Sequence, residues 1–539
     1  MPEAVVIGAG PNGLVGANLL ADAGWDVVVL EAQPEPGGAV RSSELTLPGY
    51  VNDRFSAFYP LGVGSPVMRR LKLEEHGLRW RRHPVTVAHP ATDGSVALLS
   101  ADLDETCASL DTFAAGDGDE WRKLYAWWQR VGPAFLSALL DPFPPVRAGA
   151  RLYRALGGME ETLEFARFAL LPVRRFADEH FRGAGGGRLL AGNALHADVS
   201  PEIPGGALFG MVLVGTGQAL GFPIPEGGAG SLTAALVRRL ESRGGRVECN
   251  AEVAEIIVRR GRAVGVRTAD GREIDARQAV LADVGAPQLY LKLLSRELVP
   301  SRILAGMERF QYDNGTVKLD WALDGPIPWS NPDVGRAGTV HVTEGIDALS
   351  IQGVHMSTGQ IPADPFLVLG QYALADPTRQ PPGCETAWAY THIPQVVHSD
   401  AGPDNLTGRW DERERELFAD RMEAQIEKLA PGFRDRVRAR HVMAPEDLEA
   451  SDANLVNGAL NGGTAQLHQQ LVFRPVPGLG RSETPVENLY LASASAHPGG
   501  GVHGAPGANA ARAALKQRGP GARLAARVAR ISGDGATQP

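Results

Sequence analysis

Three glycines close to the amino terminus have the spacing of a dinucleotide-binding turn. Gly8, Gly10 and Gly13 form the pattern Gly-x-Gly-x-x-Gly, with Pro11 and Asn12 between the second and third glycines. In this pattern the first glycine permits a tight turn, the second lets the backbone approach a diphosphate, and the third allows close helix packing. The chemistry expected here is binding of a diphosphate by backbone N–H groups at a helix start.

The elements around these glycines must be a buried strand, a helix and a second strand. A β-branched run at residues 4–7 predicts the first strand, the helix follows from about Pro11 to Ala23, and residues 25–30 form the second strand. Glu31 then stands where a carboxylate accepts hydrogen bonds from a ribose diol and repels a 2′-phosphate. Because all parts follow in the required order, the segment predicts a dinucleotide site.

A second glycine pair after this unit favours a flavin dinucleotide over a nicotinamide one. Glu31 and Ala32 are followed by the pair Gly37 and Gly38 and then by Arg41. The pair can bring backbone against the diphosphate, and the arginine can offset its charge. This order resembles the second FAD motif of the FAD-dependent amine oxidase and phytoene desaturase superfamily. Many relatives have arginine directly after the pair, where this chain has Ala39, so Arg41 is inferred to take that role.

The middle of the chain resembles a further part of the same cofactor domain. Residues 225–289 contain a glycine-rich turn, a helix and several short strands in the expected order. In the resembled family this arrangement places backbone near Val253 against the adenine. The resemblance therefore implies that this segment completes the adenine end of an FAD site.

The carboxyl-terminal region resembles the last FAD motif of the phytoene-desaturase-like branch. A strand at residues 488–493 precedes a glycine-rich turn, and a helix follows at about 508–515. The turn contains Gly500, Gly501 and Val502. Its N–H groups can point at the pyrimidine edge of a flavin, where negative charge develops on reduction. The resemblance implies FAD as the cofactor.

The predicted fold class is α/β, with a Rossmann-type FAD-binding domain assembled from discontinuous segments and an α+β substrate domain. The predicted boundaries are 1–84, 225–289 and 485–530 for the FAD-binding domain, 85–224 (helical) and 290–484 (sheet and helices) for the substrate domain, and 531–539 for a flexible tail.

Local patterns predict the elements of the substrate domain. Residues 121–181 are expected to be helical, with breaks at Pro133, at 142–145 and at Pro172. The glycine cluster Gly183–Gly187 follows a polar helical stretch and is expected to be a loop rather than a second dinucleotide site. Strands are expected at residues 314–320, 339–343, 349–356 and 366–372.

His497 is the candidate catalytic base, because its turn is expected beside the flavin ring and histidine titrates near neutral pH. A structural histidine in that turn is the open alternative. Cys107, Cys249 and Cys384 lie far apart and form no CxxC pair, which disfavours a dithiol flavoenzyme. Buried structural cysteine is favoured over covalent flavin attachment. The sequence shows no metal-ligand cluster.

Composition restricts the partners and the location. The 539 residues carry a formal net charge of -9, which disfavours nucleic-acid binding. The sequence has no run of about 18 apolar residues, so we expect a cytoplasmic protein. The mixed apolar and arginine-rich helices at 121–181 either dock on a membrane surface, open a tunnel for an apolar substrate or form plain core. The oligomeric state is left open.

The function expected is FAD-dependent two-electron oxidation, a desaturation or dehydrogenation, of an apolar or polyene-like small molecule with hydride transfer to flavin N5. Three alternatives are kept: double-bond isomerisation without net redox change, amine oxidation, and a non-catalytic flavoprotein scaffold. An aromatic content of 6% offers no obvious cage for an amine, which lowers the amine oxidase alternative.

Overall fold

The structure, a computed structural model, describes residues 1–516. The part of the predicted carboxyl-terminal FAD segment beyond residue 516, and the predicted tail at 531–539, lie outside the described residues. The strands within residues 1–516 are, in chain order, β1 (Ala4–Ile7), β2 (Val27–Leu30), β3 (Ser42–Ser43), β4 (Asn52–Asp53), β5 (Trp80–Arg81), β6 (Val85–Pro90), β7 (Val96–Ser100), β8 (Ile224–Pro225), β9 (Arg246–Glu248), β10 (Val253–Arg259), β11 (Arg262–Thr268), β12 (Glu273–Asp275), β13 (Ala279–Ala282), β14 (Gly315–Leu323), β15 (Ala337–Val342), β16 (Gln360–Ile361), β17 (Leu367–Gln371), β18 (Glu385–Ile393), β19 (Ser399–Asp400), β20 (Val437–Met443) and β21 (Leu489–Leu491).

The helices range from single turns to the 24 residues of the longest one. The α-helices of the described chain are α1 (Pro11–Asp22), α2 (Pro60–Gly64), α3 (Pro66–Leu71), α4 (Leu103–Asp111), α5 (Asp117–Leu140), α6 (Val146–Leu156), α7 (Met159–Leu170), α8 (Val173–His180), α9 (Ala184–His196), α10 (Gly206–Leu220), α11 (Gly230–Ser242), α12 (Ala286–Gln288), α13 (Ser301–Met307), α14 (Ile346–Thr358), α15 (Glu412–Leu429), α16 (Phe433–Arg436), α17 (Pro445–Ser451) and α18 (Ala505–Lys516).

A parallel sheet of five strands is built from distant parts of the chain, in the order β21-β13-β1-β2-β9. Its inner strands are apolar and buried along their whole length, as strands covered on both faces must be. Helices α1, α11 and α18 pack on one face, and the strands β10–β11 with α13 pack on the other. The predicted Rossmann-type α/β class is confirmed, whereas the domain boundaries stay predictions.

A second, mixed sheet has seven strands in the order β20-β14-β18-β17-β15-β6-β7. Every residue of the inner strand β14, which pairs with β20 and β18, is buried. Helices α5, α9 and α10 cover one face of this sheet and α15 covers the other. The helical layer on the first face and the sheet beneath it enclose the cavity described below.

A buried ion pair joins the first segment of the chain to this second sheet. A nitrogen of Arg379 lies 2.7 Å from Oδ1 of Asp53, and both side chains are fully buried. The other carboxylate oxygen of Asp53 accepts a hydrogen bond of 2.7 Å from the Tyr372 hydroxyl. The backbone N–H of Ala229 also donates to Oδ1, at 2.7 Å. One carboxylate therefore holds three segments together.

Pro133 does not break its helix, so the predicted break is wrong. Helix α5 continues through Pro133 to Leu140. The residue before a proline is normally pushed out of the helical region because its Cβ and N–H meet the proline ring. Gly132 has no Cβ, and Trp128 packs into the space that a side chain there would fill. Glycine before proline and the buried face of the helix together keep it continuous.

The strand predicted at 349–356 is wrong, because this segment lies inside helix α14. Leu349 and Gln352 are its buried positions, which is the i, i+3 spacing of one helix face. The Gln352 side-chain oxygen accepts a hydrogen bond of 2.7 Å from the backbone N–H of Phe366. Ile351 and Val354 are exposed, so their β-branched character did not indicate a buried strand.

The loop predicted at Gly183–Gly187 is also wrong, because helix α9 begins at Ala184. The glycines serve close packing: a Cβ on Gly185 would stand 2.6 Å from the Phe113 ring, and one on Gly186 would overlap the Phe181 ring. The carboxylate of Asp117 accepts hydrogen bonds from the N–H groups at the start of this helix. Burial against aromatic rings thus outweighs the low helix propensity of glycine.

Candidate cofactor and substrate site

The amino-terminal glycine turn leaves no room for side chains. Gly8 has a positive φ of 92°, and a Cβ there would stand 2.8 Å from the Asp283 carbonyl oxygen. A Cβ on Gly13 would overlap the carbonyl oxygen of Gly8. Helix α1 begins at Pro11 with no side-chain cap on Gly10. The turn therefore offers bare backbone and the positive end of a helix dipole, as binding of a diphosphate requires.

The second glycine pair packs directly on this turn. The N–H of Gly37 donates to the Ala9 carbonyl at 2.9 Å. Gly38 has a φ of 52°, and a Cβ there would stand 3.0 Å from Gly10 Cα. Arg41 is buried and donates through Nε to the Gly38 carbonyl at 2.9 Å. Arg41 therefore holds the pair in place, whereas its role in offsetting the diphosphate charge stays a prediction.

Glu31 lies beside the same turn with both oxygens bonded to backbone. One oxygen accepts from the N–H of Ala9 at 2.7 Å, and the other accepts from the N–H of Gln33 at 2.9 Å. Its carbonyl accepts from the N–H of Ala251, which brings the start of β10 and Val253 to this side. Val253 is buried, whereas Ala32 is exposed. Glu31 and the start of β10 thus lie on one side of the turn, and the contacts of Glu31, Ala32 and Val253 with a ribose or an adenine stay predictions.

A cavity of about 570 Å³ begins at the glycine turn and extends into the helical layer. Gly10, Pro11 and Asn12 line one end, and Gly500, Gly501 and Val502 line its wall. The side-chain oxygen of Asn12 is buried and has no hydrogen-bond partner among the described residues. The far end is apolar and is lined by Phe135, Leu139, Phe165, Leu208, Phe209 and Leu213.

The mixed sheet contributes a polar strip to this cavity. Lys318, Tyr390, His196 and His392 all line it. The Lys318 ammonium lies 2.5 Å from a carboxylate oxygen of Asp320. Burial, with the neighbouring His392, lowers the pKa of His196 to about 4, so its imidazole is neutral at pH 7. The strip therefore presents one paired cation and uncharged imidazole.

Sequence reasoning placed His196 only below His497 among the candidate bases and missed the rest of this strip. A usable signal existed for Lys318, because a lysine within the apolar run of β14 must lie in a buried strand. His196 ends a helix and His392 lies on a distant strand, so their proximity follows only from the fold.

His497 lies away from the cavity. Its Nε2 lies 3.1 Å from the carbonyl oxygen of Asp141, and its ring packs edge-on against Phe143. His497 instead borders a smaller pocket beside α18. Burial lowers the pKa of His497. A catalytic role for His497 thus stays a prediction without geometric support, and its contacts are those of a structural residue.

Arg474 supports the carboxyl-terminal turn from behind. It is fully buried and donates to the carbonyl oxygens of Ala494 at 2.7 Å and Asn461 at 2.8 Å. A Cβ on Gly499 would stand 3.3 Å from its guanidinium. Arg474 therefore fixes the strand end and the turn that carries Gly500 and Gly501.

Comparison with known proteins identifies the family of this chain. Residues 12–515 match the family described as flavin containing amine oxidoreductase. The chain belongs to this family. It is therefore a flavin-dependent oxidoreductase, and the predicted kinship with the desaturase branch is confirmed by the relatives.

Two relatives align over almost their whole lengths. "Pyridine nucleotide-disulfide oxidoreductase domain-containing protein 2" of Mus musculus is 30% identical, over 95% of this chain and 93% of its own. "Phytoene desaturase (lycopene-forming)" of Pseudescherichia vulneris is 27% identical, over 96% of this chain and 99% of its own. An oxidoreductase structure from Methanosarcina mazei superposes with a TM-score of 0.64 at 17% identity, covering 95% of this chain and 99% of that one, and it supports the fold alone.

Among residues 1–516, no helix combines the length and the apolar character that a membrane span requires.

Proposed function

We propose that the protein binds FAD and uses it to oxidise an apolar or polyene-like small molecule by two electrons. The observation that carries this proposal is the cavity, which starts at both glycine turns and ends among aromatic and aliphatic side chains. A site that is mostly apolar with a few convergent polar groups is the usual form of a small-molecule site.

The residues present fit FAD. Gly10, Asn12 and Gly38 would meet the diphosphate. A Cβ on Gly10 would stand 2.8 Å from Asp283 and one on Gly38 3.0 Å from Gly10, so both positions offer bare backbone. Glu31 would accept from the ribose hydroxyls, and Gly500 and Gly501 would face the ring system. Bound FAD would supply a hydride acceptor at N5.

The chain itself positions the substrate and excludes water. Phe165, Phe209 and Leu213 would hold an apolar chain so that a C–H bond points to the flavin, which is most of what a dehydrogenase requires. Neutral His196, in the polar strip, would accept the proton that accompanies hydride loss.

Amine oxidation is less well supported by the same cavity. A substrate ammonium is commonly held over an aromatic face. The Lys318 ammonium already lies 5.9 Å from the centre of the Trp388 ring and would repel a second cation there. The phytoene desaturase relative, by its name, acts on a polyene, which agrees with the apolar walls.

Replacing Ala169 by tryptophan tests whether the substrate is oxidised in this cavity. Ala169 lines the cavity on α7, whereas Ala166 lies exposed on the same helix. We expect Ala169→Trp to slow substrate-driven bleaching of the flavin absorbance, followed anaerobically with a polyene series, by at least about tenfold, or about 1.4 kcal/mol. Ala166→Trp is the matched control and should bleach at the wild-type rate.

The remaining alternatives give different results in that experiment. Turnover only after prereduction would indicate an isomerase, and flavin binding without any turnover would indicate a scaffold. Equal bleaching by both tryptophan variants would place the substrate outside this cavity and contradict the proposal. The absorbance spectrum and acid release of FAD test the cofactor independently.

We also propose that the cavity opens toward a membrane surface. Helices α6 and α7 and the segment after Leu467 expose apolar side chains beside the cavity lining, namely Val146, Met159, Leu163, Leu170, Leu471 and Phe473. Arg147, Arg151 and Arg154 are exposed on α6. An apolar surface bordered by arginines suits an anionic lipid surface.

Vesicle sedimentation tests this surface. We expect Leu163→Glu to weaken binding to vesicles containing anionic lipid about tenfold, because a leucine that would insert among the lipids is lost and a charge of the same sign as the lipid is added. Ile351→Glu, at an exposed apolar residue of α14, is the control and should bind as the wild type does. Absence of wild-type binding to any vesicle would exclude the surface.

A further inference from the structure

The buried carboxyl of Asp283 and the half-buried carboxyl of Asp452 flank the glycines of the proposed diphosphate site. Asp283 follows β13, and its Oδ2 accepts the N–H of Gly13 at 2.7 Å. A Cβ on Gly10 would stand 2.8 Å from this same oxygen. On the other side, a Cβ on Gly38 would stand 3.2 Å from an oxygen of Asp452. Both carboxyls line the cavity, so each lies next to backbone that would meet the cofactor.

The charges around Asp283 make its ionised form unfavourable. The first turn of α1 carries no charged residue. The segment after α17 contributes Asp452, and the end of β2 contributes Glu31, both of which are acids. Arg41 is a cation of this region, but it lies beside Asp452 and donates to the Gly38 and Ser451 carbonyls. Within residues 1–516, Asp283 therefore has one N–H donor and no cation facing it.

Burial dominates the ionisation of this side chain. Desolvation, and then Asp452 and Glu31, raise the pKa of Asp283 to about 8 against the opposing hydrogen bond from Gly13. An arriving diphosphate brings further negative charge within the reach of Gly10. An ionised carboxylate would repel it in this low-dielectric place, whereas a protonated carboxyl can donate a hydrogen bond to a phosphate oxygen.

We propose that Asp283 holds a proton whenever the diphosphate of FAD is bound, so that the protein takes up one proton from solvent when FAD binds in alkaline solution. This inference rests on the proposed FAD site. Asp283 is thereby a positioning residue for the cofactor, and it makes retention of the cofactor sensitive to pH.

The sign of the dependence follows from linkage. The carboxyl of the free protein titrates near pH 8, and bound diphosphate raises the pKa of Asp283 further. Affinity for FAD is then constant below about pH 7 and falls as pH rises, because protonation must accompany binding. Between about pH 7 and about pH 9 the Kd should increase about tenfold.

The test is release of FAD from the holoprotein on dilution, followed by flavin fluorescence across this pH range. Calorimetry in buffers of different ionisation enthalpy measures the protons taken up on rebinding, with about one expected near pH 9 and almost none near pH 6.5. Circular dichroism at each pH separates release from unfolding. A Kd that stays flat, with no proton uptake near pH 9, would overturn the inference without any variant.

Two variants test whether Asp283 is the group that takes up the proton. In Asp283→Asn the side-chain oxygen can still accept from Gly13 and the amide can donate to phosphate, so affinity should stay near the wild-type value and lose its pH dependence. Asp452→Asn removes a neighbouring charge, so the dependence should remain with its midpoint at lower pH. A wild-type slope in Asp283→Asn would overturn the assignment. Failure of the wild type to bind FAD at all would instead overturn the proposed function.

Discussion

Arg379→Met is expected to lower the free energy of unfolding by about 3–5 kcal/mol, the usual cost of breaking a buried ion pair. The substitution leaves the fully buried Asp53 carboxylate without its cation. It also removes the guanidinium that lies 3.7 Å from the centre of the Tyr372 ring. Because Asp53 joins the first segment to the second sheet, we expect both sheets to lose stability together. Urea unfolding followed by fluorescence measures the change.

The control for this substitution is an exposed ion pair. Arg267 pairs with Glu273 at 2.8 Å on the surface, and Arg267→Met should leave the unfolding midpoint nearly unchanged. The double variant Asp53→Asn with Arg379→Met should lose less stability than the two single variants summed, since neither charge is then left alone. An Arg379→Met protein as stable as the wild type would show that the pair does not hold the sheets together.

Gly13→Ala is expected to remove flavin from the purified protein. The added Cβ would overlap the Gly8 carbonyl oxygen, which belongs to backbone and cannot rotate away. Helix α1 must then shift from the turn, and the N–H groups of its first residues move from the diphosphate. A cost of about 3 kcal/mol, at the upper end of overpacking costs, weakens FAD binding more than about a hundredfold.

Flavin content per protein and FAD titration measure this effect. Gly149→Ala is the matched control, because Gly149 lies in helix α6 and a Cβ there meets no atom within 4 Å. That variant should keep its flavin and gain slight stability from better helix propensity. Full flavin content in Gly13→Ala would mean that the turn does not contact the cofactor.

The parts of the site that could be predicted from sequence are those that short-range order determines. The strand, the turn at Gly8 and the acid at Glu31 lie within about thirty residues, and each residue type has one physical reason to be there. The glycine pair and Arg41 could be predicted in the same way, because they follow Glu31 within ten residues. The confirmed fold class also follows from these motifs, because they require a parallel sheet.

The remaining parts depend on contacts between distant residues. Asp283 reaches Gly13 across 270 positions, and no spacing rule connects them. The orientation of the His497 side chain depends on its contact with the carbonyl oxygen of Asp141, which lies 356 positions earlier. The segment at 349–356 has β-branched residues but only one buried helix face, and burial cannot be read from residue type alone. Tertiary packing decided each of these cases.

The order of the parallel sheet has a consequence for biosynthesis. Its edge strand β21 pairs with β13, and α18 packs on α1 through Gly507 against Asn12. A ribosome that adds about 5–20 residues per second reaches β21 only on the order of 25–100 s after β1 emerges. During that interval the apolar strands made first lack their β21 partner, and chaperones can shield them from other nascent chains. The turn that would receive the flavin ring follows β21, so the complete flavin site forms only after the other strands of this sheet have been made.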